Sequence, residues 1–286
     1  NAFRLVKGWE VNNGTGQPET AKIAISWFGN VLSKTIIELE DLFSKYRLSE
    51  ALMTVYKLFW DEFSSWYLEL IKPAYQQPVD PATYEATLSF FDSLLRLLHP
   101  FMPFITEELW QALGERKPGE SIMIARQPKA TTVDEELIAD FEITKQIIAG
   151  IRTIRLQKNI PGKDELELQV IGNHDNRFDS AIAKMANLSS IENITEKSEG
   201  AVGFLVGTTE FAIPMGDKID VEAELKKMKT ELEYCEGFLQ SVMKKLSNER
   251  FVQNAKPEIV ENERKKQADT KSKIALLKES IKALEQ

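Results

Sequence analysis

Catalytic equipment is scarce in this sequence. A single cysteine, Cys235, stands among 286 residues, so no internal disulfide can form and a reducing cytoplasm suits the chain. The two histidines, His99 and His174, have no cysteine partners at metal-ligand spacing, which leaves no metal site to propose. No apolar run reaches the roughly 18 to 20 residues that a bilayer-crossing helix needs, and no basic-then-apolar leader opens the chain, so no membrane partner is expected. Positive charge is short too. The 36 Lys and Arg against 44 Asp and Glu leave a net charge of −8, which argues against indiscriminate binding to DNA or RNA through a general positive field. Any RNA contact has to be local and geometric.

What the sequence does have is helical periodicity. The string Trp60-Asp61-Glu62-Phe63-Ser64-Ser65-Trp66-Tyr67-Leu68-Glu69-Leu70-Ile71-Lys72-Pro73 lies in a longer stretch whose apolar positions 52, 55, 59, 63, 66 and 70 step by three and four. That spacing lines one face of an α-helix over about 47–72. A second amphipathic helix opens at His99-Pro100-Phe101-Met102-Pro103-Phe104, with proline in its first turn where no backbone donor is needed. The two faces are expected to share a core, with Trp60, Trp66 and Trp110 inside it. That second helix runs to about 113, further helices read out at about 19–43 and 83–98, and a short one over 1–10 ends before the loop Asn12-Asn13-Gly14-Thr15-Gly16. The chain opens on Asn1 inside a helix already under way and reads as a piece of something longer.

Composition shifts after Gly114. A charged loop and an extended crossing segment lead to a long helix from Asp134 to Asn159, which Pro161-Gly162 ends. Leu166, Leu168 and Val170 then alternate with Glu165, Glu167 and Gln169 as a half-buried strand, and a short helix near 177–188 leads to strands near 190–195, 202–206 and 209–214. The fold class is mainly α: a helical bundle over 1–115, a linker and small α+β region over 116–218, and a distinct tail over 219–286.

The tail carries two apolar seams. Val221, Leu225, Met228, Leu232, Cys235, Leu239, Val242 and Leu246 alternate by four and three, and Val260, Glu263, Gln267, Thr270, Ile274, Leu277, Ile281 and Leu284 by three and four. The short stretch between them forces an antiparallel coiled-coil hairpin, an arm of roughly 40 Å at about 1.5 Å per residue. Residues 221–286 hold 14 of the Lys and Arg and 12 of the Asp and Glu, net +2, so the rest of the chain is net −10. The arm is the only basic part, and Lys244, Lys245, Arg250, Phe251, Arg264, Lys265 and Lys266 gather around its tip.

No nucleophile with its base is present. Asp61-Glu62 and Glu107-Glu108 are adjacent rather than facing, as solvated helix surface requires and paired acid-base chemistry does not. His99 and His174 suit capping or surface roles, and Cys235 suits the seam as a small buried hydrophobe.

The two helical strings in this order resemble the helical anticodon-binding domain of class I aminoacyl-tRNA synthetases. With the hairpin behind them, the whole chain is similar to the C-terminal part of bacterial valyl-tRNA synthetases. That resemblance implies a partner, the tRNA for valine, and a parent enzyme that uses ATP and magnesium. Neither the His-x-Gly-His type string nor the Lys-Met-Ser-Lys-Ser type loop of that class occurs here, so no catalytic residue or cofactor is expected in this stretch, and it should be inactive alone.

The same resemblance implies the contact residues. In Asn1-Ala2-Phe3-Arg4-Leu5 the family carries an anticodon-contacting arginine, and the Trp-Tyr-Leu-Glu string at 66–69 resembles a second contacting segment. Arg4, Leu68 and Glu69 are the residues so named. Leucine at 5 stands where an aromatic is usual, which turns base stacking there into an apolar contact. Valine anticodons end in adenine and cytosine, whose exocyclic amino groups suit a carboxylate acceptor, while arginine suits stacking and phosphate. The arm would meet the outer corner of the tRNA. A monomer is expected. The rival reading is a helical adaptor that binds a partner protein through its coiled-coil arm.

Overall fold

The computed structural model describes residues 1–215, 221–247, 260–268, 270, 271, 274 and 278. Residues Asn1–Pro214 form one compact unit and Met215–Gln286 another.

The first unit opens with α1 (Ala2–Lys7) and the 26-residue α2 (Glu19–Ser44). Helix α2 runs through the core and buries Trp27, Phe28, Leu32, Ile36 and Leu39 along one side, the stripe its apolar spacing specifies. The expected single helix over 47–72 is corrected by the structure. It is α3 (Leu48–Lys57), then a ten-residue π-helical stretch (Leu58–Tyr67), then α4 (Leu68–Ile71). The Ser64 and Ser65 hydroxyls donate to the carbonyls of Phe59 and Trp60, each five residues back. The wider turn re-phases the buried face: Val55, Leu58, Phe63, Tyr67, Leu70 and Ile71 are buried, with a step of five at 58 to 63. Leu52 is therefore exposed, and so is Trp60, at 60%. Trp60 belongs to no core; it stacks on exposed Tyr56 with centroids 6.2 Å apart. Trp110 is buried as expected, and Trp66 is half-buried.

Pro73 ends this helix because the residue before a proline is pushed to extended backbone, as Lys72 is at ψ 124°. Helix α5 (Pro81–Leu98) starts cleanly: Asp80 caps it by accepting from the Thr83 amide at 2.9 Å, and proline holds the first turn. Helix α6 (Pro103–Leu113) follows, and Phe28, Phe63, Tyr67, Phe90 and Phe91 meet in one aromatic cluster. Glu107 of α6 has a structural task. It accepts from Ser121 Oγ at 2.6 Å, Gln111 Nε2 at 2.8 Å and the Ile122 amide at 3.1 Å, which together hold its carboxyl below the usual carboxylate range.

Asp134 caps α7 (Glu135–Gln157), which packs on α2 through Phe141 stacked on Trp27, centroids 4.2 Å apart. Beyond α7 lies a four-stranded sheet of order β2-β1-β4-β3, from β1 (Leu166–Ile171), β2 (Leu188–Ile194), β3 (Val202–Val206) and β4 (Thr209–Ile213). Strands β1 and β2 are parallel and joined through α8 (Asp179–Ala186); β4 runs antiparallel to both β1 and β3. The alternation read from 166 to 170 is the alternation of burial in β1. Arg155, 7% exposed, donates to the carbonyls of Pro161, Ala186 and Asn187, tying the end of α7 to the end of α8. The mainly-α reading with a small α+β part holds.

In the second unit, α9 spans Val221–Leu246, and residues 260–268 are helical. Cys235, Val242, Val260, Glu263 and Ile274 are buried, all of them on the expected seams. Among the described residues two ion pairs cross between the helices: Lys245 to Glu263 at 3.8 Å and Glu236 to Lys278 at 2.8 Å. As one index falls the other rises, which makes the pairing antiparallel.

Candidate nucleic-acid interface

Arg4 sits on α1, and Glu69 on α4, 65 positions later. Two features bring their segments together. Val6 is buried in the core and Phe3 packs edge-on against Phe91, so α1 is fixed with Arg4 turned to solvent. A short parallel pairing then ties the chain after α1 to the chain before α5: the Val79 amide donates to the Glu10 carbonyl at 2.8 Å and the Asn12 amide to the Val79 carbonyl at 3.1 Å. The loop 72–78 is held beside α1 as a result.

Between them runs a groove of about 500 Å³, lined by Arg4, Leu5 and Trp9 on one side and by residues 72–77 on the other. A second groove of about 410 Å³ is lined by Glu69, Lys72, Pro73, Ala74, Arg152, Lys184 and Met185. Lys72, Pro73 and Ala74 line both, so Arg4 and Glu69 belong to one continuous surface. Glu69 is exposed and pairs with Lys72 at 3.6 Å, an exposed contact that leaves carboxylate lone pairs for other donors. Leu68 is different. It is 2% exposed and packs in the core, so from this position its side chain offers no surface to a base; it anchors the turn that carries Glu69.

The second groove is assembled by residues no local pattern announces. Lys184 Nζ donates to the carbonyls of Leu70 at 2.7 Å and Lys72 at 2.8 Å, capping the C-terminal end of α4 with a cation. Burial pushes its pKa below the ordinary lysine value; Glu69 pulls it up and Lys72 down. Arg152 donates to the Met185 carbonyl at 3.3 Å and lies 5.6 Å from the Trp66 ring centroid. The four cations lining the two grooves, Arg4, Lys72, Arg152 and Lys184, face two carboxylates, Glu10 and Glu69, in a chain of net charge −8. Lys72 was within reach of the sequence, three residues after Glu69 at the end of the same helix. Arg152 and Lys184 were not, because only the tertiary fold brings α7 and α8 here.

A profile described as the anticodon-binding domain of tRNA ligase matches residues 26–170, half of the chain. The chain belongs to that family. A second profile, described as the valyl tRNA synthetase tRNA binding arm, matches residues 220–285. Among related proteins, the valine-tRNA ligase of Parabacteroides distasonis is 63% identical over 284 residues, covering 99% of this chain and 32% of the relative. That of Phocaeicola vulgatus is 62% identical over 285 residues, with 99% and 32% covered. The valine-tRNA ligase of Rhizobium meliloti is 32% identical over 261 residues, with 87% and 28% covered. The chain thus spans about a third of the length of these tRNA ligases, and the resemblance to the C-terminal part of valyl-tRNA synthetases is borne out. The matched anticodon-binding region contains Glu69 and Arg152, whereas Arg4 precedes it and Lys184 follows it.

On the arm, Lys244, Lys245, Arg264, Lys265 and Lys266 are exposed. Lys245 and Lys266 both turn to the buried Glu263, Lys266 at 2.8 Å, and Lys266 leads in holding that carboxyl below its usual range. Arg250 and Phe251, also named for the tip, lie outside the described residues. Among the described residues no group of three or more His, Cys, Asp or Glu is arranged to hold a metal, and no helix is long and apolar enough to cross a membrane.

Proposed function

We propose that this chain is the tRNA-binding portion of a valine-tRNA ligase. Arg4 and Glu69 read the anticodon of the tRNA for valine. Lys244, Lys245, Arg250, Phe251, Arg264, Lys265 and Lys266 on the arm meet its outer corner, and residues 116–218 link the two binding parts. The carrying observation is the surface shared by Arg4 and Glu69: two segments that resemble family contact strings, far apart in sequence, open onto grooves joined by Lys72, Pro73 and Ala74. Charging itself, with its ATP and magnesium, belongs to the remaining two-thirds of a full-length ligase acting as a cytoplasmic monomer.

Splayed anticodon bases need a donor-acceptor edge and a stacking or cationic partner. The Glu69 carboxylate supplies the acceptor for an exocyclic amino group, and the Arg4 guanidinium supplies the plane and the charge. The test is charging kinetics of the full-length ligase. Arg4→Ala and Glu69→Ala should each cost about 1 to 3 kcal/mol on valine tRNA, the size of a base contact. They should cost far less on a tRNA whose anticodon is replaced, since a contact already lost cannot be lost again. Equal losses on both tRNAs would sink this assignment. The adaptor reading would gain if the arm bound protein competitors and left tRNA unshifted in a gel.

A further inference from the structure

We propose that the groove between α4 and the α7–α8 pair takes the sugar-phosphate backbone of a single-stranded RNA loop, with Arg152, Lys184 and Lys72 facing phosphates and Tyr75 offering a base a stacking face. This rests on the anticodon reading above and extends it to residues that neither the family strings nor the sequence named.

Four observations carry it. The groove is continuous with the one at Arg4 through Lys72, Pro73 and Ala74, so a loop whose bases reach Glu69 must lay its backbone nearby. Tyr75 lines the Arg4 groove and is 89% exposed. Its ring stands free of the core, beside Arg4 and Lys72 on the wall of that groove, where a base can stack on it. Lys184 is held in place by two carbonyls, yet an ammonium has three donors, so one remains for a phosphate oxygen. Among the described residues Arg152 makes one hydrogen bond, to the Met185 carbonyl, against five donors, and its guanidinium is backed by the Trp66 ring.

The charge arithmetic makes the same demand. Base contacts specify, but most of the affinity of a protein for RNA comes from phosphates, and a chain of net charge −8 has to gather its cations where the backbone runs. Three of the four cations in these grooves, Lys72, Arg152 and Lys184, line the one groove that also contains Glu69. A backbone clamp is indifferent to sequence, whereas Arg4 and Glu69 are not. The two roles can therefore be separated.

The experiment measures binding of two fluorescent anticodon stem-loop RNAs, one with the valine anticodon and one with it replaced, to the full-length ligase over a salt series. Arg152→Glu should weaken both RNAs by the same factor, about tenfold, and lower the slope of log affinity against log salt by about one. Tyr75→Ser should weaken both by about fivefold or more with the slope unchanged. Arg152→Lys and Tyr75→Phe should stay within about threefold of wild type, which separates lost charge or lost ring from a damaged fold. If the folded variants Arg152→Glu and Tyr75→Ser bind both RNAs as wild type does, with the same slope, the groove is not an RNA surface and the inference is overturned, even if Glu69→Ala still discriminates. A loss from Arg152→Glu confined to the valine anticodon would overturn it too, by making Arg152 a base reader. Failure of Glu69→Ala to discriminate would sink the anticodon reading instead, and the losses at Arg152 and Tyr75 would still decide the groove.

Discussion

Lys184 on α8 reaches back 114 residues to donate its ammonium to the carbonyl oxygen of Leu70 at 2.7 Å. That bond, with its twin to the Lys72 carbonyl, joins the sheet-bearing part of the first unit to the end of the helix that presents Glu69. Helix ends leave carbonyls without partners, and a cation there stabilises both the hydrogen bonding and the helix dipole. Lys184→Met should lower stability by about 1 to 2 kcal/mol, read as a drop in Tm. Lys184→Arg should recover part of it. An unchanged Tm would mean that water serves those carbonyls equally well.

Tyr67 gives a pH dependence. Its hydroxyl is buried and bonded at 2.9 Å to Thr87 Oγ1, whose own proton goes to the Thr83 carbonyl, so Tyr67 is the donor. Burial pushes its pKa well above the ordinary tyrosine value, and the Asp80 charge adds to the rise. The folded state then keeps a proton that the unfolded chain releases near pH 10. Stability from this group is fully present below about pH 10 and falls as pH rises beyond it. Tyr67→Phe should cost about 1 kcal/mol at pH 7. The gap between variant and wild type should narrow between pH 9 and 11 in urea titrations, and a gap that widens would contradict the assignment.

Gly150 lies in α7 under the ring of Phe204 on β3; a methyl at 150 would sit against the ring carbons closer than packing allows. Phe204 in turn stacks on Phe211, centroids 5.5 Å apart. Gly150→Ala should gain about 1 kcal/mol in helix propensity and lose about 1 to 3 kcal/mol in overpacking, a net destabilisation. The double variant Gly150→Ala with Phe204→Leu should lose less than the two single costs combined. Strict additivity in chemical denaturation would show that the two positions do not touch.

On the arm, Lys245 and Lys266 hold Glu263, so they are poor choices for probing tRNA without disturbing the hairpin. Lys244→Glu with Lys265→Glu reverses two exposed charges away from that contact. If the arm meets tRNA, the pair should weaken binding and flatten its salt dependence by about 0.7 to 0.9 per lost phosphate contact. Filter binding of full-length valine tRNA at several salt concentrations reads both quantities. Affinity and slope equal to wild type would leave the arm structural.

Much of the fold was legible because it is written in local periodicity. Helical periodicity specified α2, α5, α6 and α7 to within a few residues, strict alternation specified β1, and proline marked the first turn of α6. The arm was legible for the same reason: a heptad seam states which residues are buried, and Cys235, Val242, Val260, Glu263 and Ile274 are.

The tertiary structure alone decided the phase of the π-helical stretch. Its ten residues fit an α pattern nearly as well, and the choice came from what Phe63 and Tyr67 meet across the core, namely Phe28, Phe90 and Phe91. That choice exposed Trp60, buried Leu68 and left Glu69 facing solvent. It also decided which cations share a surface. Arg4, Lys72, Arg152 and Lys184 follow one another at intervals of 68, 80 and 32 residues, and no pattern of period two or 3.6 reports a contact over such distances. Family resemblance could name Arg4 and Glu69 one by one, but what lies beside them was set by the packing of α7 and α8 against α2 and α4.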